Sequence, residues 1–571
     1  MRIARYKLKR FFTFAAIPLS AIGVSIGCAD RKEPLETATT AGLELPQGFE
    51  AAESIITAEL IAQHVEALSD DTMEGRGPGT PGDQKARQYL ADTMAGLGLD
   101  PGIGGEWQQP MTLVGIETVA PAVWSFFHNQ ARLDLNFWDD YIAGSGLQET
   151  AASIDNAEVV FVGFGIQAPE YEWDDYKAVD LTGKVLLMLN NDPDWDPGLF
   201  EGNRRLYYGR WDYKYESAAA QGAAGAIIVH TTPSAGYPWQ VVQTSWTGPQ
   251  FELPAGSEAR TRIKAWVTEE AAAQLVGLAG FDLAELIESA RSRDFASVPL
   301  GVSTSIALNN SIEQAESANV GGLLRGSDLA DQVVVYTAHH DHYGIGEPDA
   351  EGDSIYNGAR DNASGCAALL SVAEAFTSLP DPRRRSVLFL FVAAEEQGLL
   401  GSEYYARNPT FPPGKIAANV NLDGVNIWGQ ASDLTYIGFG KSSLDTVVVA
   451  AADRQGRVVK GDQFPDRGHF YRSDQFNFAK IGVPAIYIGK PTEIVGKPEG
   501  WGRKQMNAWE ATHYHQPSDE MDESWNLDGA VQDSRIAFVA GLSIAESTEV
   551  PAWNQGDEFE AARLEALVAS P

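Results

Sequence analysis

The sequence predicts an α/β fold, a sheet flanked by helices, and three observations carry that expectation. First, Gln332-Val-Val-Val-Tyr-Thr337, Ser386-Val-Leu-Phe-Leu-Phe-Val392 and Ala417-Ala-Asn-Val-Asn421 are short, apolar and rich in β-branched or aromatic residues, as strands buried on both faces are. Second, a helical run from Cys366 to Phe376 separates the first two. Third, each strand empties at once into histidine or carboxylate: Ala338-His-His-Asp-His342, Ala394-Glu-Glu-Gln-Gly398 and Leu422-Asp-Gly424. In an open α/β sheet the crevice beyond the carboxyl ends of the strands is where ligands bind. Imidazole nitrogens and carboxylate oxygens gathered there suit a divalent metal of the zinc type. The first expectation is therefore a metallohydrolase.

The remaining chain sets limits. Its 571 residues exceed one ordinary core, and ~150 residues per domain suggests three or four units. A net charge of -36 argues against a nucleic-acid partner, which would require a basic face. Arg2, Arg5, Lys7, Lys9 and Arg10 precede an apolar run from Phe11 to Gly27, the pattern of an export signal. That run ends at Ser25-Ile-Gly-Cys28, which resembles a bacterial lipobox with serine where leucine is usual. Residues 1–28 are read as a signal peptide of the lipoprotein type. Cys28 then becomes a lipid anchor, and the protein is placed in the periplasm or at the cell surface; a plain secretory signal is the alternative. The only other cysteine, Cys366, sits among alanines and leucines and reads as a small core residue.

In chain order, residues 29–50 read as a linker. Ile55, Ile56, Leu60, Ile61, Val65 and Leu68 recur at helical spacing. Glu74-Gly-Arg-Gly-Pro-Gly-Thr-Pro-Gly82 is a loop by its local signals, and Thr80 before Pro81 reads as a helix N-cap. Residues 51–145 are assigned to a first part of the catalytic unit. From 146 to 305 the texture changes to short strands, Val159-Val-Phe-Val162, Val185-Leu-Leu-Met-Leu189 and Ala226-Ile-Ile-Val229, with a helix expected over Glu216–Ala224. No cluster of histidines and acids follows these strands, and His230 reads as structural. This segment is taken as a β-rich insert, residues 306–549 as the second part of the catalytic unit, and 550–571 as a polar tail. After Asp423 the sequence suggests a strand at Val483–Ile488, then a long polar loop through Trp501 and Trp509. That loop delivers His513-Tyr-His-Gln-Pro-Ser-Asp519, and a helix over Leu527–Ala545 follows.

Several motifs stand in a telling order: Glu74-Gly-Arg76, Ala338-His-His-Asp-His342, Asp361-Asn-Ala-Ser-Gly365, Ala394-Glu-Glu-Gln-Gly398, Asn421-Leu-Asp-Gly424, Arg472-Ser-Asp474 and Tyr514-His-Gln-Pro517. Together they resemble the M28 family of zinc aminopeptidases, and the insert resembles the protease-associated (PA) domain found in that family. The resemblance implies a carboxypeptidase/phosphorylase-like mixed sheet flanked by helices. It also implies two Zn2+ per chain, held by His339, Asp361, Glu396, Asp423 and His515, with Asp361 bridging. Asp341 would orient His339, Glu395 would be the general base, and Tyr514 would donate to the oxyanion. The substrates implied are peptides with a free N-terminus.

The chemistry agrees without the resemblance. Two ions ~3.5–4 Å apart supply both an activated water, of pKa near ~7, and an electrophile. Adjacent Glu395 and Glu396 suit a division of labour, one on the metal and one taking the water's proton. His340 and His342 are alternatives to His339; strand alternation puts them on the opposite face, as loop or supporting residues. Arg472 reads either as a substrate anchor or as half of an ion pair. Two other functions remain open: a single-zinc glutaminyl-peptide cyclase on the same scaffold, and a non-catalytic receptor.

Overall fold

One strand ties the molecule together. In this computed structural model, Val298–Leu324 runs unbroken for 27 residues. Its first half pairs antiparallel with Ala151–Phe161, its middle with Gln108–Val119, and its last five residues with Arg385–Val392. The structure describes residues 43 and 45–570, with 178 and 347 left aside. The signal peptide, Cys28 and nearly all of the 29–50 linker lie outside the described residues.

Beyond that strand lies the sheet that carries the site. Arg385–Val392, Leu329–His339, Ile416–Asn421 and Ala485–Gly489 lie side by side and parallel, and Asp433–Ile437 adds antiparallel to the last. All eight residues of Arg385–Val392 are buried, so the absence of alternation in the sequence was itself the signal of a two-sided strand. Val387, Phe389 and Phe391 face helices Ala58–Leu68, Ser364–Thr377 and Asp528–Glu546. Leu388, Leu390 and Val392 face Tyr405 and Phe478 on the other side. The mixed sheet flanked by helices is the expected fold class.

The 146–305 segment builds a second parallel set: Ala151–Phe161, Val185–Leu189, Gly225–His230 and Ile263–Thr268. Tyr141–Ser145 adds antiparallel to the last of these. Its apolar core is continuous with Phe470, Tyr471 and Phe476 from the other region. Tyr207 lies 5.0 Å from Phe476, ring to ring, and the Arg205 amide donates to the Pro465 carbonyl at 2.9 Å.

Three local expectations need correction. The stretch through Trp501 and Trp509 is not a loop but the helix Trp501–Thr512, which buries Gly502, Met506 and Trp509 at helical spacing. Residues after 550 are not a polar tail: Trp553 and Phe559 are buried, and Arg563 of helix Glu560–Ala569 donates to the Ile416 carbonyl at 2.9 Å. The helix expected over Glu216–Ala224 spans Trp211–Ala220, because Gly222 turns the chain with φ 71° and Gly225 already begins a strand. Among the described residues no helix is long and apolar enough to cross a membrane.

Candidate metal centre

Four loops and the Glu395-Glu396 turn meet beyond the carboxyl ends of the parallel strands. The first is the end of Leu329–His339, where His339 is 1% exposed. His339 Nε2 lies 3.3 Å from Asp361 Oδ1 and 3.5 Å from Asp423 Oδ1. Its Nδ1 sits 3.3 Å from the backbone carbonyl of Asp341 and 3.8 Å from that residue's carboxylate. The Asp341 carboxylate is engaged elsewhere: it accepts from the amides of Glu395 and Glu396 at 3.0 and 3.3 Å. Asp341 thus orients His339 through its backbone and the Glu395-Glu396 turn through its side chain.

The second loop carries Asp361. Gly358 enters it with φ 54°, and Asp519 accepts from the amides of Arg360 and Asp361, each at 3.0 Å. Asn362 binds this loop to the third: its Nδ2 donates to the Leu422 carbonyl at 3.0 Å, and its Oδ1 accepts from the Gly424 amide at 2.9 Å. Asp423 and Asp361 are therefore held as one unit. The fourth loop follows helix Trp501–Thr512 and presents His515 with φ 57°. His515 Nε2 lies 3.1 Å from Glu396 Oε2 and 3.5 Å from Asp361 Oδ2. Asp361 accordingly faces His339 with one oxygen and His515 with the other.

The electrostatics are those of a site built for cations. Burial alone would lower the His339 imidazole, but Glu395, Asp361 and Asp423 hold it well above its ordinary value. His515 is pushed up to about 9, Glu396 and Asp361 outweighing burial. Burial raises Glu395 well above the usual carboxylate range; His339 opposes this, while Glu396 and Asp423 add to it. Among the described residues, no lysine or arginine lies within 4 Å of the carboxylates of Asp361, Glu395, Glu396 or Asp423. A buried group of acids with no lysine or arginine in contact fits divalent metal, and the nitrogen and oxygen donors fit zinc. His339, Asp361 and Asp423 can each turn a ligand atom to within 4.8 Å of the others.

Residues 319–539 match Peptidase family M28. The chain carries a Peptidase family M28 domain. The relatives agree: Aminopeptidase YwaD of Bacillus subtilis (strain 168) is 32% identical over 209 residues, covering 36% of this chain and 40% of that one. Probable lipoprotein aminopeptidase LpqL of Mycobacterium tuberculosis is 24% identical over 286 residues, covering 47% and 53%. The matches span about half or less of the length of these curated relatives. Among solved structures, an aminopeptidase from Aneurinibacillus sp. strain AM-1 superposes with a TM-score of 0.52 at 21% identity, over 88% of this chain and 97% of that one, a likeness of fold.

Within the M28 domain, the structure brings together His339, Asp361, Glu395, Glu396, Asp423 and His515. Tyr514 stacks on His515 with ring centroids 3.6 Å apart, and its hydroxyl has no protein hydrogen-bond partner among the described residues. Arg472 has no carboxylate within 4 Å among the described residues, so it is not half of a close ion pair. Arg76 does not join the site. It is buried and donates to the carbonyls of Leu68, His340, Asn357 and Gly358, clamping the loops that flank it. His340 turns away, its Nε2 3.1 Å from the Ala318 carbonyl. His513 pairs with Ser518 outside the cluster. Sequence reasoning passed over Asp519, which carries no motif that separates it from a loop acid; His342, expected as a loop or supporting residue, has its Nδ1 2.7 Å from Glu396 Oε1.

Proposed function

We propose that this protein is an exported aminopeptidase that removes N-terminal residues from peptides with two zinc ions bound at this centre. The observation that carries the reading is the convergence of Asp361 with two imidazoles: one oxygen faces His339 at 3.3 Å and the other faces His515 at 3.5 Å. Two zinc ions would be held there by His339, Asp361, Glu396, Asp423 and His515, and would supply Lewis-acid activation of the scissile carbonyl and of a water, whose pKa would fall toward ~7.

The chain's own residues then divide the work. Glu395 takes the proton of the attacking water and delivers it to the leaving amine. Its position depends on Asp341, which grips the 395–396 backbone by two amides. Tyr514, with an unpaired phenol beside His515, donates to the oxygen that becomes negative as the carbonyl is attacked. The acids of the centre, in excess over its fixed cations, hold the substrate's terminal ammonium. The 146–305 segment, read as a PA-like domain, flanks this centre. A leader and a lipid anchor at Cys28 put the enzyme outside the cytoplasm; the leader's sequence supports this, as does the similarity to a probable lipoprotein aminopeptidase of Mycobacterium tuberculosis.

The test is elemental analysis of the purified mature protein beside hydrolysis of aminoacyl chromogenic substrates and an N-acetylated control. About two zinc per chain with cleavage of free-amine substrates only is the expected outcome. One zinc with cyclisation of N-terminal glutamine would replace this reading with the cyclase, and no metal with no turnover would end it.

A further inference from the structure

Glu396 lies between two imidazoles. Its Oε2 is 3.1 Å from His515 Nε2, and its Oε1 is 2.7 Å from His342 Nδ1. His342 is wholly buried, and among the described residues its Nε2 has no hydrogen-bond partner. Leaving that nitrogen unsatisfied costs ~1–3 kcal/mol, so an imidazole is a poor choice for filling space alone. The ring is also confined. A Cβ at Gly358 would stand 2.5 Å from its Cγ, and the left-handed backbone of Gly358 is what lets the Asp361 loop pass so close. Its other neighbours are the rings of Tyr343 and His515, 5.2 and 5.9 Å away.

We propose that His342 is a positioning residue for Glu396: its Nδ1–H holds Oε1, so that Oε2 alone is turned toward His515 and Asp361. This rests on the two-zinc reading above and adds a residue to it. The carboxylate would otherwise rotate freely about its last bond and present either oxygen or both. Pinned by His342, it offers one oxygen in a fixed direction, and hydrogen bonds of this kind to a metal ligand are typically worth 10–100-fold in metal affinity. The alternative, that His342 is itself a ligand, has geometric support, since His342, Asp361 and Glu396 can each bring a ligand atom within 4.8 Å of the others. The 2.7 Å contact is the interaction the structure shows, made through Nδ1; ligation through the unpaired Nε2 is the outcome the asparagine variant separates from it.

The test compares the full chain with His342→Ala and His342→Asn, the latter placing an amide N–H where Nδ1–H stood. Zinc affinities of the stripped proteins are read by competition with a chromophoric chelator, and thermal melting of the stripped proteins reports folding. The expected result is one affinity unchanged, the other weakened about 10–100-fold in His342→Ala, and most of that loss recovered in His342→Asn, with melting temperatures of the stripped proteins alike. Both affinities within twofold of wild type in His342→Ala would overturn the proposal while leaving the two-zinc reading standing. His342→Asn as weak as His342→Ala would overturn it in favour of direct ligation. A wild-type chain that takes up fewer than two zinc ions would overturn the two-zinc reading first, and this proposal with it.

Discussion

The M28 domain and the 146–305 segment each contain four parallel strands, yet only one of them gathers chemistry at the strand ends. In the segment, the polar residues at the ends bond mainly to nearby backbone, although Asn190 Oδ1 and Asp192 Oδ1 are buried without a partner among the described residues. Asn190 donates to the Ser234 carbonyl at 3.1 Å, His230 Nε2 sits 3.0 Å from the Tyr237 carbonyl, and Thr268 caps the amide of Ala271. In the M28 domain, His339, Glu395 and Asp423 instead face one another. The buried acids differ in the same way. Asp175 and Asp192 feel the charge of Lys214, whose ammonium is buried between the Phe164 and Asn191 carbonyls at 2.6 and 2.8 Å. Asp361 and Glu396 have imidazoles in contact, and Asp423 has His339 and the Tyr487 hydroxyl, while Arg360 and Lys490 act on Asp361 and Asp423 from farther off. The segment's two acids share one buried ammonium; the centre's acids crowd together around imidazoles. A strand end becomes a site when its polar groups are left unpaired with their own backbone and aimed at those of a neighbouring strand.

Two substitutions test that contrast at its strongest. Glu395→Gln removes the base while keeping its shape, and kcat is expected to fall about 10²–10⁴-fold, with zinc content unchanged. Stopped assays on an aminoacyl chromogenic substrate, with elemental analysis of the same sample, decide it; a fall in zinc content would make Glu395 a ligand. In the segment, Lys214→Met leaves the buried Phe164 and Asn191 carbonyls without their donor. The expected cost is about 1–3 kcal/mol of unfolding free energy, read by urea titration, with zinc content at the wild-type level. If zinc were lost as well, the segment's buried charges and the metal centre would be one coupled system rather than two.

The strand ends were legible because a buried strand that stops at histidine or carboxylate must place a costly polar group at the edge of the core, and a bound ion is what most readily compensates it. That is why the strand ends carrying His339, Glu395, Glu396 and Asp423 stood out in the sequence, while the choice of His339 over its neighbours and each residue's role came from the resemblance to M28. His342 was expected as a loop or supporting residue, but its partner could not be read. The strand ends at His339 and the chain then turns, bringing His342 against Glu396. Helix Trp501–Thr512 was hidden by its composition: Arg503, Lys504, Gln505 and Asn507 mask the buried stripe of Gly502, Met506 and Trp509. Trp553 and Phe559 were too sparse to mark the last segment as packed. The asparagine that locks two loops together, Asn362, reads in sequence only as the neighbour of Asp361.

Histidines extend the comparison to pH. His515 is raised by the acids around it, whereas His64, bonded at 2.7 Å to the Tyr89 hydroxyl and facing no carboxylate, is lowered by burial to about 4. In the unfolded chain His64 takes a proton near pH 6.5, so that state binds more protons between pH 6.5 and 4 and stability falls as pH falls through that window. The full effect is at most about 3 kcal/mol. His64→Gln is expected to flatten this part of the stability–pH curve, measured by urea titration from about pH 7.5 to about 4.5; an unchanged slope would mean that the ring is protonated in the fold.

The smallest effect bears most directly on what a strand-end histidine is for. His230 ends its strand as His339 ends Leu329–His339, and it lies among the rings of Tyr237, Trp239 and Trp266. If its role is the single bond to the Tyr237 carbonyl, His230→Gln costs about 1 kcal/mol and leaves kcat/KM and zinc content as in wild type. His339→Gln, the same change at the matching place in the other region, removes zinc and activity together. Equal behaviour of the two variants would mean that the position of a histidine at a strand end decides its role, and that convergence of the loops around His339 does not.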